Sequence, residues 1–133
     1  MSLLLATAVL ICTLAAWAQE QPSLEELIQR AEQGDAGAQH ALGGMYLNGL
    51  GVQQDVEAAF WWIGLSAGQG DANAQNGLGG MYLTGLGVQQ DVEAAFWWIR
   101  LSAGQGNAGA QYNLGVMYAN GDGLPRDDAE AVR

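Results

Sequence analysis

The chain repeats itself. Residues Ala31 to Ser66 read AEQGDAGAQHALGGMYLNGLGVQQDVEAAFWWIGLS, and Ala67 to Ser102 read AGQGDANAQNGLGGMYLTGLGVQQDVEAAFWWIRLS. The two stretches differ at six of 36 positions: 32/68, 37/73, 40/76, 41/77, 48/84 and 64/100. A third copy begins at Ala103 and runs to Arg133, one residue short of the position that holds Trp62 and Trp98 in the first two. A period of this size marks stacked supersecondary units, none of which can bury its apolar face alone.

Each unit reads as two helices. The first, helix A, covers about Ala36 to Leu47 and ends at Gly49, where a left-handed residue is expected. Gly51 lets the chain turn, and Val52 can drop into the core. Asp55 is the expected N-cap of helix B, since its carboxylate can accept from the first free amides. Helix B should run to about Ser66 and stop at the Gly68/Gly70 pair. Ahead of the first unit, Ser23 and Glu26 have capping-box spacing. They open a helix in the segment 19–30 that takes the place of a preceding helix B and covers the end of the stack. The fold class is therefore all-α, with repeat units 31–66, 67–102 and an incomplete 103–133.

At 100° per residue, Ala38, Gln39, Leu42, Gly43 and Tyr46 share one arc of helix A. Gly37, His40, Ala41, Gly44 and Asn48 share the opposite arc. The first arc is identical in the first two repeats, and four of the six differences fall on the second. The first arc behaves as a packed surface and the second as a free one. Helix B differs, because Ala59, Trp62 and Ile63 suit a core while Phe60, Trp61 and Leu65 on the other side are also apolar. A helix apolar all round is covered on both sides, by the next helix pair or by something outside the chain.

Charge narrows the partners. The 133 residues carry a formal net charge of -10, with four Arg and no Lys. Nucleic acid would be repelled, and no basic cluster offsets this. The same acidity argues against an anionic membrane surface. Leu3 to Ala16 form an apolar run, followed by small residues at Ala16 and Ala18, ahead of Gln19. This predicts a signal peptide over 1–18 and leaves no stable membrane span after its removal, because a span needs about 20 apolar residues. Cys12 lies in that run and is preceded by Ile11, which argues against lipidation. The mature chain then contains no cysteine, and no disulfide framework is expected.

The recurring residues are Ala31, Gly34, Ala38, Gln39, Leu42, Gly43, Tyr46, Gly49, Gly51, Val52, Asp55, Ala59 and Trp62, found again 36 residues on. In this order they closely resemble the Sel-1-like repeat, a relative of the tetratricopeptide repeat, over Ser23 to Arg133. The resemblance implies a right-handed α-solenoid with helix A on its concave side and helix B on its convex side. It also implies a protein-binding adaptor or scaffold, often exported in bacteria, and hence a periplasmic or secreted location. Cysteine-rich relatives are described as binding or cleaving β-lactams, but this chain lacks their paired cysteines.

The variable arc of helix A is then the expected concave surface for a protein or peptide partner. It carries His40, Asn48, Asn76, Thr84, Tyr112, Asn113 and Asn120, set between small residues such as Gly44 and Gly80. Neutral drift on a solvated face would give the same pattern. Trp61 and Trp97 either pack against neighbouring repeats or, if exposed, meet a partner's apolar face or the rings of a cell-wall glycan. No enzyme is expected. His40 is the single histidine and lacks triad or zinc partners. Asp122 has no alternating acids or distal Glu for calcium. The glycine-rich loops lack the lysine of a phosphate loop. No cofactor or metal is expected. The third unit stops before its tryptophan position, which suggests a fragment or an open end that docks another subunit.

Overall fold

The computed structural model describes residues 22–122. Within them the chain forms α1 (Leu24–Glu32), α2 (Ala36–Asn48), α3 (Val56–Gly68), α4 (Ala72–Thr84), α5 (Val92–Gly104) and α6 (Ala108–Asn120). The expected signal peptide over 1–18, with Cys12, and the helix start at Asp127 lie outside the described residues. Helices α2, α4 and α6 are the A helices, and α3 and α5 are the B helices. Helix α1 occupies the register of a B helix. Each helix packs against the next along the chain, giving an all-α solenoid.

Local chemistry sets the boundaries. Asp35, Asp55, Asp71, Asp91 and Asn107 each accept a hydrogen bond from the amide three residues on, at 2.9–3.0 Å. Ser23 does the same for α1 at 3.2 Å. Each such cap satisfies an amide that has no partner inside the helix. The A helices end at Gly49, Gly85 and Gly121, with φ of 67°, 73° and 72°, where a side chain would be strained. The B helices run two residues past Ser66 and Ser102, to Gly68 and Gly104. The stop is Gly70, whose φ is 98°, because Gly68 still fits a helical turn.

The core is a seam between successive helices. Ala59, Ile63, Ala74, Leu78 and Met81 are buried between α3 and α4, and Ala95, Ile99, Ala110 and Met117 between α5 and α6. Trp62 packs against the Ala31, Ala38 and Leu42 layer, and Trp98 against the layer that follows it. Small residues let the helices approach. A Cβ on Gly79 would lie 2.5 Å from Ile99 Cγ1, and one on Gly43 would collide with Ile63 in the same way.

A polar ladder runs through the same seam. Buried Gln39 donates to the Ala31 carbonyl at 3.0 Å and accepts from Gln69 at 2.7 Å. Gln75 repeats this with Ala67 at 3.2 Å and Gln105 at 2.8 Å. Ser66 and Ser102 donate to the Ala36 and Ala72 carbonyls at 2.8 and 2.6 Å. The glutamines serve carbonyls in the last turns of α1 and α3, which explains why a packed arc contains them. The serines tie the end of each B helix to the first residue of its own A helix.

Candidate protein-binding surface

The two arcs of helix A separate as their composition requires. Ala38, Gln39, Leu42 and Gly43 are buried, whereas Gly37, Ala41 and Asn48 are exposed and His40 and Gly44 half-buried. In α4, Ala74, Gln75, Leu78 and Gly79 are buried, Asn73 and Thr84 are exposed, and Asn76, Gly77 and Gly80 are half-buried. The outward residues fall in rows set by the period: His40, Asn76 and Tyr112 in one, and Asn48, Thr84 and Asn120 in another. Asn113 stands beside the first row on α6.

Direct bonding joins only some of these residues. The Asn113 amide donates to Asn76 Oδ1 at 3.1 Å, linking α6 to α4. Asn48 Nδ2 and Thr84 Oγ1 each donate to the carbonyl four residues back, Gly44 and Gly80, at 2.9 Å. Their polar groups are thus engaged with their own helices. Tyr112 is 73% exposed, so its ring and hydroxyl face solvent. His40 and Asn120 lie on the same face. A second bridge, Asn107 Nδ2 to Asn73 Oδ1 at 2.7 Å, was not among the expected site residues. Its signal was there, since 37/73 is one of the six differing positions.

The electrostatics of this face are unusual for so acidic a chain. None of α2, α4 and α6 contains Asp, Glu, Lys or Arg. The charges stand in the caps, the loops, α1 and the B helices. Glycines at 44 and 80 leave open space, because a Cβ at either would meet nothing within 4 Å. The result is a neutral surface of amide, hydroxyl and imidazole groups separated by gaps. Such a surface offers shape and hydrogen-bonding groups rather than charge.

The B helices present a different surface. Phe60 is covered by Tyr82 at a ring separation of 5.5 Å, and Phe96 by Tyr118 at 5.7 Å, both edge to face. Trp61 and Trp97, one residue on, are 63% and 55% exposed. More than half of each residue's surface therefore faces solvent. A shallow depression of about 520 Å³ lies at the first loop, lined by Tyr46, Val52, Gln53, Gln54 and Asp55. Around Tyr82 the equivalent space is closed by Phe60 and by the contact of Gly87 with the Val56 carbonyl. The depression lies at the first repeat of the described residues, and it contains none of the expected site residues. Among the described residues, no three or more His, Cys, Asp or Glu side chains are placed to hold a metal ion. Among them, too, no helix is long and apolar enough to cross a membrane.

The Sel1 repeat model matches residues 36–71, 72–107 and 108–133. A solved Sel1 repeat protein from Oxalobacter formigenes is 39% identical, with a TM-score of 0.70, over 81% of this chain and 83% of that one. A protective antigen of uropathogenic Escherichia coli, displaying an SLR fold, is 40% identical with a TM-score of 0.75. That match covers 77% of this chain but only 22% of the antigen. Cysteine-rich protein B of Helicobacter pylori shares the fold, at 23% identity and a TM-score of 0.64 over 68% of each chain. A search of curated proteins finds no match.

Proposed function

This chain belongs to the Sel1 repeat family, whose members generally serve as protein-interaction scaffolds, and from that premise we propose that it binds a peptide segment of a partner protein on the outward arc of its A helices. The observation that carries this reading is the contrast between the arcs. The buried arc is the same in both complete repeats. The outward arc changes at four positions while remaining polar, uncharged and gapped. The residues in contact would be His40, Asn76, Tyr112, Asn113 and Asn120, with Asn48 and Thr84 contributing once released from their own helices. An extended segment suits the face, because amides such as the Asn76–Asn113 pair can bond to a peptide backbone. Binding by neutral groups should change little with salt.

The reading extends to location. The apolar run and the small residues at Ala16 and Ala18 support export to the periplasm or beyond, with the mature chain starting at Gln19. N-terminal sequencing of the protein from cells tests this, and an intact Met1 in the fractionated protein would sink it. The binding reading is tested by capture from cell-envelope extract, with Asn76→Glu/Tyr112→Glu as the control. A protein held by the wild type and lost by a variant of unchanged circular dichroism supports the A-helix surface. Equal capture by both removes it.

A further inference from the structure

Three Asn–Gly pairs occur in the chain, at Asn48–Gly49, Asn76–Gly77 and Asn120–Gly121. All three lie on A helices, but at different depths. Asn48 and Asn120 are exposed and are the last residues of α2 and α6. The glycine after each has left the helix, with φ of 67° and 72°. Asn76 is half-buried inside α4, which continues to Thr84. Its side chain accepts from Asn113 at 3.1 Å. A Cβ on Gly77 would lie 3.8 Å from Ile63 Cγ2, so this stretch of α4 is packed against α3.

An asparagine followed by glycine can react with its own backbone. The deprotonated glycine nitrogen attacks the side-chain carbonyl carbon, the bond to the side-chain nitrogen breaks, and ammonia leaves. The five-membered succinimide then takes up water at either carbonyl and opens to aspartate or isoaspartate. Glycine permits this because no side chain shields its nitrogen or restricts the ring. The attacking nitrogen must first be free, and ψ at the asparagine must leave its helical value. In α2 the Gly49 N–H donates to the Met45 carbonyl, and in α6 the Gly121 N–H donates to the Met117 and Tyr118 carbonyls. These are bonds of a last turn, which frays readily. Freeing Gly77 instead requires opening the interior of α4 along its seam with α3.

We propose that Asn48 and Asn120 are sites of spontaneous deamidation and that the fold protects Asn76. Each conversion puts a carboxylate on a face whose helices carry no charged side chain. It does so at a helix C-terminus, where the dipole disfavours an anion. At position 48 it also removes the donor that bonds to the Gly44 carbonyl at 2.9 Å. The second repeat holds the resistant form. Thr84 makes the same bond to the Gly80 carbonyl at 2.9 Å and has no amide to lose. The end of the outward arc therefore turns acidic with age in the first repeat and stays neutral in the second.

The full chain is incubated in warm, mildly alkaline buffer, with a parallel sample unfolded in guanidinium chloride. Peptide mapping by mass spectrometry follows each asparagine. In guanidinium the three sites should convert at similar rates. In the folded chain Asn48 and Asn120 should slow about tenfold and Asn76 about a hundredfold or more, because last turns open far more often than a packed helix interior. Asn48→Thr should end conversion at that position and leave the circular dichroism and thermal midpoint unchanged. Asn48→Asp, which reproduces one product, should melt a few degrees earlier. The proposal is overturned if Asn76 converts as fast as Asn48 in the folded chain. It is equally overturned if Asn48 and Asn120 stay intact over a time that converts them fully in guanidinium. Equal thermal midpoints for Asn48→Asp and Asn48→Thr would overturn the effect assigned to the new charge.

Discussion

The two helices of a repeat face solvent by opposite rules. Helix A turns outward a neutral arc of amides, hydroxyls and glycines, and this arc differs between the first two repeats at four positions. Helix B turns outward acid, indole and leucine, and these are the same in both, with one change beside them at Gly64/Arg100. Buried positions are held by packing. Trp61 and Trp97 are exposed, so packing does not explain why both units carry them. The difference teaches that one small unit can turn two unlike surfaces to solvent, one neutral and polar, the other apolar with a charged residue beside it.

The sharpest way to break this comparison uses the two sides of one B helix. Ile99 is fully buried and Trp97 is 55% exposed. Ile99→Ala should cost about 2–5 kcal/mol of stability through transfer and cavity terms. Trp97→Ala gives up only a half-exposed ring and its edge-to-face contact with Trp98, and should cost about 0.5–1.5 kcal/mol. Urea melts of both variants decide the matter. If Trp97→Ala costs as much as Ile99→Ala, the indole is part of the fold and not a free surface.

A second test divides helix A between adjacent glycines. Gly79 faces the seam, where a Cβ would lie 2.5 Å from Ile99 Cγ1 and 3.2 Å from the Ala95 carbonyl. Gly79→Ala should lose about 1–3 kcal/mol to overpacking, net of any gain in helix propensity. Gly80 faces open space, so Gly80→Ala should gain about 0.5–1 kcal/mol. Opposite signs one residue apart would confirm which arc is free. The same Gly80→Ala change fills a gap in the proposed A-helix surface and should weaken partner capture while it raises stability.

The neighbouring pair Gln75 and Asn76 gives a third, smaller contrast. Gln75→Ala removes a buried amide that serves the Ala67 carbonyl and Gln105, and should cost about 1–3 kcal/mol. Asn76→Ala breaks the Asn113 bond on a partly exposed face and should cost less than half as much. Equal costs would mean that the Asn76–Asn113 bridge holds the stack together and is not a recognition element.

Much of this was legible in the sequence. The glycines at 49, 85 and 121 and the aspartates at 55 and 91 mark helix ends because few other residues satisfy those backbone positions. The six differing positions located the free arc of helix A. Helix B was harder. Phe60 and Trp61 are both large and apolar, and only the placement of Tyr82 decides that one is covered and the other is not. The Asn76–Asn113 bond was hidden for a related reason. It joins positions that are not equivalent in the period, so comparing one unit with the next could not reveal it. Gln39 read as a packed residue, but its role at the Ala31 carbonyl depends on how two helices meet.

The smallest expected effect lies at the junction before α2, the one place among the described residues where an A helix is entered through an ion pair. Arg30 and Asp35 are 3.0 Å apart, and the Ala38 amide donates to the same carboxylate. The Ala38 hydrogen bond, followed by that from Arg30, holds the Asp35 carboxyl below the ordinary aspartate range. A depressed folded value means that the charged carboxylate stabilises the fold. Its contribution is complete above the ordinary aspartate range and is lost as pH falls through that range to the depressed value. Both groups are solvent-exposed, so the effect is screened and modest. Asp35→Asn keeps a capping oxygen, as Asn107 does ahead of α6, but removes the charge. The gap in urea midpoint between wild type and Asp35→Asn should therefore be present at pH 7, shrink toward acid pH, and narrow in high salt. A gap constant with pH would show that the cap alone matters there and that the charge of Asp35 adds nothing to the entry of α2.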